Sequence, residues 1–164
     1  MTRKYNRILG INPGTRYLGL AIFDGSNLLD WRIKTFIGKW TRAKAYRILD
    51  IVREQIELYD ISAIAIKKLH PARTSRNLKL LVSKIKVIAK RKKIKVRQYS
   101  INELERFYLE GEKHNKRNLA EKIVAEYPML VYELNKEKSK KHSYYMRVIE
   151  GVALGMKIKN AFDS

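Results

Sequence analysis

Residues 7–24 read RILGINPGTRYLGLAIFD, and this stretch decides the fold. The apolar run 7–11 predicts a short buried strand that stops at the turn formers Asn12-Pro13-Gly14. A second apolar run, 18–23, ends at the turn formers of residues 24–27, and a third strand is expected from about Leu28 to Phe36. The chain therefore opens as an antiparallel meander of three strands.

The spacing of the apolar residues becomes helical after Thr41, which predicts an amphipathic helix. Residues 60–66 form a β-rich run with almost no polar face, as expected of a central parallel strand, and His70-Pro71 ends it. The apolar residues of the predicted helix are Ala45, Ile48, Leu49, Val52 and Ile56.

A second amphipathic helix is predicted over about 74–90, and a fifth strand over 95–99. Further helices are expected over 101–109, 115–127 and 142 to about 160. A meander followed by strand, helix, strand, helix and strand is typical of an α/β fold with a five-stranded mixed sheet and helices on both faces. The whole chain, 1–164, is interpreted as a single domain. The apolar stripe of the second helix consists of Leu78, Val82, Ile85 and Ala89.

The charge balance predicts a polyanionic partner. Lys and Arg total 36 against 16 Asp and Glu in 164 residues, which gives a formal charge of +20 and a pI of about 10.2. Such a field attracts nucleic acid, and the binding should weaken with salt because phosphate contacts release counterions. The 45% of hydrophobic residues is sufficient for a folded core.

Several classes of protein are excluded or disfavoured. The chain has no cysteine, so disulfides, thiolate chemistry and Cys-type zinc sites are excluded. The apolar run after the basic start is too short for a signal peptide, and no stretch is long enough for a membrane span. We therefore expect a cytoplasmic protein without membrane contact.

Five blocks of sequence stand in order over nearly the whole chain: ILGINPGTR at 8–16, AIKK at 65–68, residues 96–99, residues 115–120 and EGVAL at 150–154. Together they resemble the RuvC family of Holliday-junction resolvases, which have an RNase H-like fold. Residues 8–16, ILGINPGTR, are similar to the family's first strand, which ends in Ile-Asp-Pro-Gly. Residues 65–68, AIKK, stand where the family has Ile-Glu-Gln on its fourth strand. Residues 96–99 resemble the fifth strand, residues 115–120 the basic helix start that follows, and residues 150–154, EGVAL, the motif that closes the active site.

The resemblance implies a two-metal nuclease site, and this chain departs from it. Family members hold two Mg²⁺ ions with four carboxylates. The corresponding positions here are Asn12, Lys67, Arg147 and Glu150, whose formal charges sum to +1 rather than −4. An ammonium about 4 Å from a divalent ion repels it by several kcal/mol at an effective dielectric near 20. We therefore expect a degenerate site with no metal, and Mg²⁺ only if other acids rearrange it. Candidate acids near strand ends are Asp24, Asp30 and Asp60.

Two interpretations of the altered site follow from its residue types. Lys67 and Arg147 are suited to grip directly the phosphate that metals bridge in an active relative. Alternatively, Arg147 pairs with Glu150 at an i, i+3 spacing and Lys67 is a solvated strand end.

Basic tracts predict the rest of a nucleic-acid surface. The segment 70–76 carries two arginines and two hydroxyls to a helix start, and helix N-termini favour phosphate. An aromatic residue of the resembled family can open the junction near this point, where the present chain has His70. A further run lies at 136–141, and Tyr17 and Trp40 are among the candidates for base stacking. The predicted binding residues are Lys67, Arg73, Arg76, Lys90, Arg91, Lys92, Lys93, Lys113, Lys116, Arg117 and Arg147.

Three functions fit these observations. The first is a non-catalytic RuvC-like protein that recognises branched or structured DNA. The second is an active metal-dependent Holliday-junction endonuclease with a rearranged site, and the third is a factor that binds RNA or RNA–DNA hybrids. The resemblance also implies a homodimer, for which the second helix could supply the seam.

Overall fold

The computed structural model describes residues 7–72, 74–133, 135 and 146–163. Its strands are β1 (Arg7–Asn12), β2 (Tyr17–Asp24), β3 (Asn27–Thr35), β4 (Ala63–Lys67) and β5 (Lys95–Tyr99). Its helices are α1 (Arg42–Leu58), α2 (Arg76–Arg91), α3 (Ile101–Tyr108), α4 (Lys116–Glu126) and α5 (Met146–Asp163), with a short 3₁₀ turn at Pro128–Leu130.

The five strands form one mixed sheet in the order β3-β2-β1-β4-β5. The first three strands pair antiparallel as the predicted meander, while β4 runs parallel to both β1 and β5. Both parallel connections pass through helices, as parallel strands require. The predicted mixed sheet of five strands is confirmed.

Alternate residues of the central strands enter two hydrophobic clusters, one on each face of the sheet. Ile8 packs with α3, α4 and α5, whereas Leu9 packs with α1 and α2. Successive side chains of a strand point to opposite faces, and both faces of the sheet are buried here. The sequences of β1 and β4 are therefore continuous apolar runs. The prediction of helices on both faces is confirmed.

Several predicted boundaries were wrong by a few residues. The strand expected from Asp60 begins at Ala63, because Asp60 adopts a left-handed φ of 52° and the Ile61 N–H closes α1 on the Ile56 carbonyl. The helix expected from Thr74 begins at Arg76, since Ser75 is its N-cap and accepts from the Leu78 N–H.

Other details of the predicted helices also change. On α2 the core residues include Leu81 and Ile88, whereas the predicted Leu78 is only partly buried. The start expected for the last helix, residues 142–145, lies outside the described residues, and the helix extends to Asp163. No helix in the described ranges has the length and apolar character of a membrane span.

Candidate functional site

The candidate site forms where the carboxyl ends of β1 and β4 meet α5. These strands are parallel neighbours, with Ile11 opposite Ile66, so Asn12 and Lys67 end side by side. Helix α5 contributes Arg147 and Glu150 from its first two turns. The four positions singled out from the sequence are therefore brought together by the fold.

Two glycines allow α5 to approach β1 closely enough to complete the site. A Cβ atom on Gly10 would collide with the backbone carbonyl of Gly151, so any larger side chain would force the helix and the strand apart. Gly19 on β2 makes a similar close approach, because a Cβ there would collide with the Arg147 carbonyl. The sequence thus positions the Arg147 and Glu150 backbone through residues that have no side chain.

Glu150 is the buried acceptor at the centre of the site. Its side chain is 3% exposed, and its Oε2 accepts from both the Lys67 ammonium and the Asn12 amide at 2.7 Å. The Lys116 ammonium lies 3.9 Å from the other carboxylate oxygen, Oε1. The charge of this buried carboxylate is therefore balanced by a lysine of the chain itself, and the Asn12 amide adds a second hydrogen bond.

Arg147 turns away from Glu150 towards the turn between β1 and β2. Its Nη1 donates to the Pro13 carbonyl at 3.3 Å, and its guanidinium carbon lies 6.0 Å from the centre of the Tyr17 ring. Its buried Nε has no hydrogen-bond partner among the described residues. Burial lowers the pKa of Arg147, while the nearby Glu150 carboxylate acts in the opposite direction.

These contacts correct part of the sequence interpretation. Arg147 does not pair with Glu150 across the i, i+3 spacing, because Glu150 bonds to Lys67 and Asn12 while Arg147 reaches the Pro13 carbonyl. Lys67 is not a solvated strand end either, since its side chain is 24% exposed and ion-paired. Direct contact of Lys67 and Arg147 with phosphate stays a prediction.

The described residues do not fit a divalent cation. A metal ligand must offer a lone pair, yet Oε2 of Glu150 already accepts two N–H donors and the Lys67 ammonium stands beside it. Within the described ranges, no three His, Cys, Asp or Glu side chains are close enough together to hold a metal ion. Asp24, Asp30 and Asp60 contribute nothing to the site, because Asp24 pairs with Arg7, Asp30 pairs with Arg32, and Asp60 lies at the end of α1.

A groove of about 630 Å³ opens over the site. Its lining includes four cationic side chains, and the hydroxyl residues Thr74 and Ser100 lie along its walls. His70 is at the exposed edge, and its carbonyl accepts from the Thr74 hydroxyl. Sequence reasoning missed Lys68 and Ser100, which reach this groove because the Lys68 N–H donates to the Tyr99 carbonyl where β4 and β5 end side by side. The cations of the groove are Lys67, Lys68, Lys116 and Arg147.

A second basic groove, of about 620 Å³, follows the edge strand β5. It is lined by Lys86 and Lys90 of α2 and by Lys95 and Arg97 of β5. Of the neighbouring tract, Arg91 and Lys93 are exposed, and Lys92 pairs with Glu57 at 3.4 Å. The fold therefore divides the predicted patch into a groove and a rim.

The remaining predicted binding residues are dispersed. Arg76 is exposed in the first turn of α2, and Lys113 is exposed before α4. Arg117 is paired with Glu121 at 3.4 Å, so it is less available than its charge suggested. Arg73 and the basic run 136–141 lie outside the described residues.

Comparison with known proteins supports the architecture through structure alone. No protein-family model and no curated protein sequence matches the chain. RuvC from T. thermophilus in complex with a Holliday junction substrate has a TM-score of 0.70 at 16% identity, covering 96% of each chain. The yeast mitochondrial Holliday junction resolvase Ydc2 has a TM-score of 0.64 at 10% identity, covering 96% of this chain and 80% of that one.

A viral structure shows the same likeness. The fowlpox virus resolvase with its substrate Holliday junction DNA has a TM-score of 0.60 at 14% identity, covering 96% of this chain and 99% of the other. At such identities the likeness establishes the architecture, and the order of strands and helices described above agrees with it. The chain therefore has the RuvC-like, RNase H-type fold of the Holliday junction resolvases.

Proposed function

We propose that this protein binds branched or structured DNA as a RuvC-like protein whose metal-dependent nuclease activity is lost or weakened. The observation that carries the proposal is the Lys67 ammonium 2.7 Å from Oε2 of the buried Glu150. In the resembled family, carboxylates at these positions would hold Mg²⁺. Here a side chain of the protein supplies the positive charge.

The fixed cation changes what the site can bind. Lys67 has three N–H donors, and Glu150 takes one of them, so the others remain to meet an anion. The guanidinium of Arg147, which lines the same groove, offers further N–H donors. A phosphodiester oxygen would satisfy these donors by charge-assisted hydrogen bonds.

The choice of DNA rests on the fold and on the electrostatics of the surface. Proteins with this fold include resolvases whose structures contain Holliday junction DNA. The groove over the candidate site (the site groove) and the groove along β5 (the β5 groove) each offer four cationic side chains to a phosphate backbone. Cations distributed over two grooves can follow more than one duplex arm. A branched substrate presents such arms at fixed angles.

The test compares a labelled four-way junction, a linear duplex and an RNA–DNA hybrid by fluorescence anisotropy between about 50 and 200 mM salt. We expect the junction to bind most tightly, and Mg²⁺ in place of EDTA should not strengthen the binding, because added Mg²⁺ only competes for the phosphates. Arg147→Gln and Lys116→Gln should each reduce the slope of log K against log salt by about one. Arg53→Gln is the matched control, because Arg53 is a partly exposed cation on α1 that pairs with Asp50 and lies outside both grooves.

Each other outcome selects a different function. Cleavage of the junction in Mg²⁺ or Mn²⁺ would establish the endonuclease alternative and refute the loss of activity. Tighter binding of the hybrid than of the junction would establish the RNA-directed alternative. Equal affinity for junction and linear duplex would show that the protein binds DNA without recognising its branched structure.

We also infer a homodimer that associates through α2. The helix leaves Leu80 and Val87 55% and 47% exposed, although its opposite face lies in the core. Two copies related by a twofold axis would match the symmetry of a four-way junction. Light scattering of the free protein tests this, and a monomeric mass at micromolar concentration would refute it.

A further inference from the structure

The loop between β3 and α1 presents an isoleucine to solvent. Ile37 is 86% exposed, more than any other large apolar side chain in the described part of the protein. Its neighbour Phe36, by contrast, is 3% exposed and belongs to the core. Single exposed apolar residues are common on folded proteins, but Ile37 stands on a loop held by hydrogen bonds and borders a cleft.

The loop is held by hydrogen bonds on both sides of Ile37. The Phe36 N–H donates to the Arg16 carbonyl at 2.8 Å, and the Lys44 ammonium donates to the Gly38 carbonyl at 2.5 Å. Gly38 has a φ of 87°, a conformation that residues with side chains rarely adopt. Thr41 then caps α1 by accepting from the Lys44 N–H at 3.1 Å. The backbone on both sides of Ile37 is therefore held, with the Ile37 side chain directed to solvent.

A cleft of about 340 Å³ lies beside Ile37. It contains the half-buried Trp40 and the exposed Arg16, and none of its lining residues is acidic. The exposed cations Lys39 and Arg42 flank Trp40 in the chain. The cleft has the volume of a small-molecule site, and its charge suits a polyanion that carries flat apolar rings. Nucleic acid has both properties. The lining residues are Thr15, Arg16, Phe36, Ile37, Gly38 and Trp40.

The cleft lies at the same end of the sheet as the candidate site. Asn12 ends β1, and Tyr17, which begins β2, is paired with Thr35 at the end of β3. Two strand spacings, about 10 Å, separate β1 from β3. A stacked nucleic-acid strand advances about 3.4 Å per nucleotide, so this distance corresponds to about three nucleotides.

The ring of Tyr17 lies between the candidate site and the cleft, near an arginine from each. The guanidinium carbon of Arg16 lies 5.4 Å from the ring centre, and that of Arg147 lies 6.0 Å from it. Cations therefore border the path from the site groove to the cleft without an intervening acidic residue among these contacts. A DNA strand held near Arg147 can pass along this path to Ile37.

We propose that Ile37 inserts between stacked bases of bound DNA and that Trp40 and Arg16 receive the base it displaces. This inference rests on the proposed function and specifies how the same site distorts its substrate. Apolar side chains that enter a base step unstack it, and an aromatic ring or guanidinium can then stack on the exposed base. Ile37 would take over the opening role that the resemblance assigns near His70, where this chain has no Phe, Tyr or Trp.

The test uses four-way junctions that carry 2-aminopurine at successive positions from the branch point to four nucleotides outward. This base analogue fluoresces more strongly when it loses a stacking neighbour. We expect saturating wild-type protein to raise the signal at one or two adjacent positions, and Ile37→Ser to abolish that rise. The preference for the junction over a linear duplex should fall about tenfold or more, which corresponds to the loss of one buried isoleucine.

Leu58→Ser provides the matched control. Leu58 is 70% exposed at the end of α1, which lies at the opposite end of the sheet from the candidate site. This variant should retain both the fluorescence rise and the affinity of the wild-type protein. Circular dichroism of Ile37→Ser should also match the wild type, because a fully exposed side chain contributes little to the folded core.

The outcomes separate this inference from the proposed function. If the junction binds without any rise in fluorescence, Ile37 does not insert between bases, although the protein still binds DNA. The same conclusion follows if the rise survives in Ile37→Ser. If the unstacking depends on Ile37 but the protein binds junction and duplex with equal affinity, the insertion of Ile37 is supported and the preference for branched DNA is refuted. Absence of DNA binding refutes both. If Ile37→Ser lowers the mass of the free protein in light scattering, Ile37 lies in an interface between copies and the inference is wrong.

Discussion

Replacing Lys67 by methionine should cost far more stability than its position at a strand end suggests. The Lys67 ammonium and Oε2 of Glu150 are 2.7 Å apart, so their attraction is about 6 kcal/mol at an effective dielectric of 20. Desolvation of the two groups offsets much of this, but the variant would leave a carboxylate that is 3% exposed without its nearest cation.

The expected loss of unfolding free energy for Lys67→Met is about 3 kcal/mol, near the lower end of the range for a broken buried pair. The lower end applies because Lys116 remains 3.9 Å from Oε1 of Glu150 and is flexible enough to approach it. Such a loss corresponds to a fall in Tm of roughly 6–12 °C for a chain of this size. Glu150→Gln should cost less, since Lys67 is 24% exposed and can turn towards water.

A double-mutant cycle measured by urea unfolding isolates the pair. The double variant Lys67→Met, Glu150→Gln should lose less stability than the two single variants together, with a coupling energy of about 2 kcal/mol. The exposed pair Lys92–Glu57, at 3.4 Å, is the control and should give less than about 1 kcal/mol. If the losses at Lys67 and Glu150 add within about 0.5 kcal/mol, the ammonium does not stabilise the carboxylate and the argument fails.

Three further predictions concern the remainder of the fold. Tyr108 donates to the Ala153 carbonyl at 2.6 Å, and burial raises its pKa well above 10, so stability should be full below about pH 10 and fall as pH rises further. Tyr108→Phe should flatten that fall in urea titrations, and an unchanged pH profile would contradict it. Gly10→Ala should lower the unfolding free energy by about 3 kcal/mol and weaken DNA binding, because α5 must move away from β1; wild-type Tm would refute this. Lys95→Gln combined with Arg97→Gln should reduce the salt slope of duplex binding by about 1.8, and an unchanged slope would remove the β5 groove from the binding surface.

Much of the fold was accessible from the sequence because the apolar periodicity is strong. The strand at Lys95–Tyr99 was predicted to the residue, and the parallel β4 followed from an apolar run with no polar face. The start of β4 was not accessible, because it depends on the left-handed turn at Asp60. Asp is common at such turns but also precedes strands, so its identity alone does not decide the boundary.

The sequence predicted which residues of the candidate site lie close together, but not which of them bond to each other. The resemblance placed Asn12, Lys67 and Glu150 together, and the parallel pairing of β1 with β4 does bring the first two side by side. Which donor reaches Glu150 depends on side-chain directions. Arg147 lies one helical turn from Glu150, and its contact with the Pro13 carbonyl depends on a loop from another part of the chain. Sequence spacing carries no information about that competition.

Asn12 on β1 and Lys67 on β4 act together, because both donate to the same oxygen of Glu150. In the sequence, Asn12 alone looks like a nuclease residue that has lost its charge. In the structure it donates its amide to the same oxygen, Oε2 of Glu150, that Lys67 neutralises. An aspartate at position 12 would set a second carboxylate against that oxygen, with the Lys67 ammonium and the more distant Lys116 to balance both. Lys67 in turn would face no partner if Glu150 were absent. Restoring an acid at position 12 alone would leave the Lys67 cation in place, and restoring one at position 67 alone would leave Asn12 and Arg147 without a carboxylate. This interdependence disfavours the expectation that one substitution would turn these residues into a metal site.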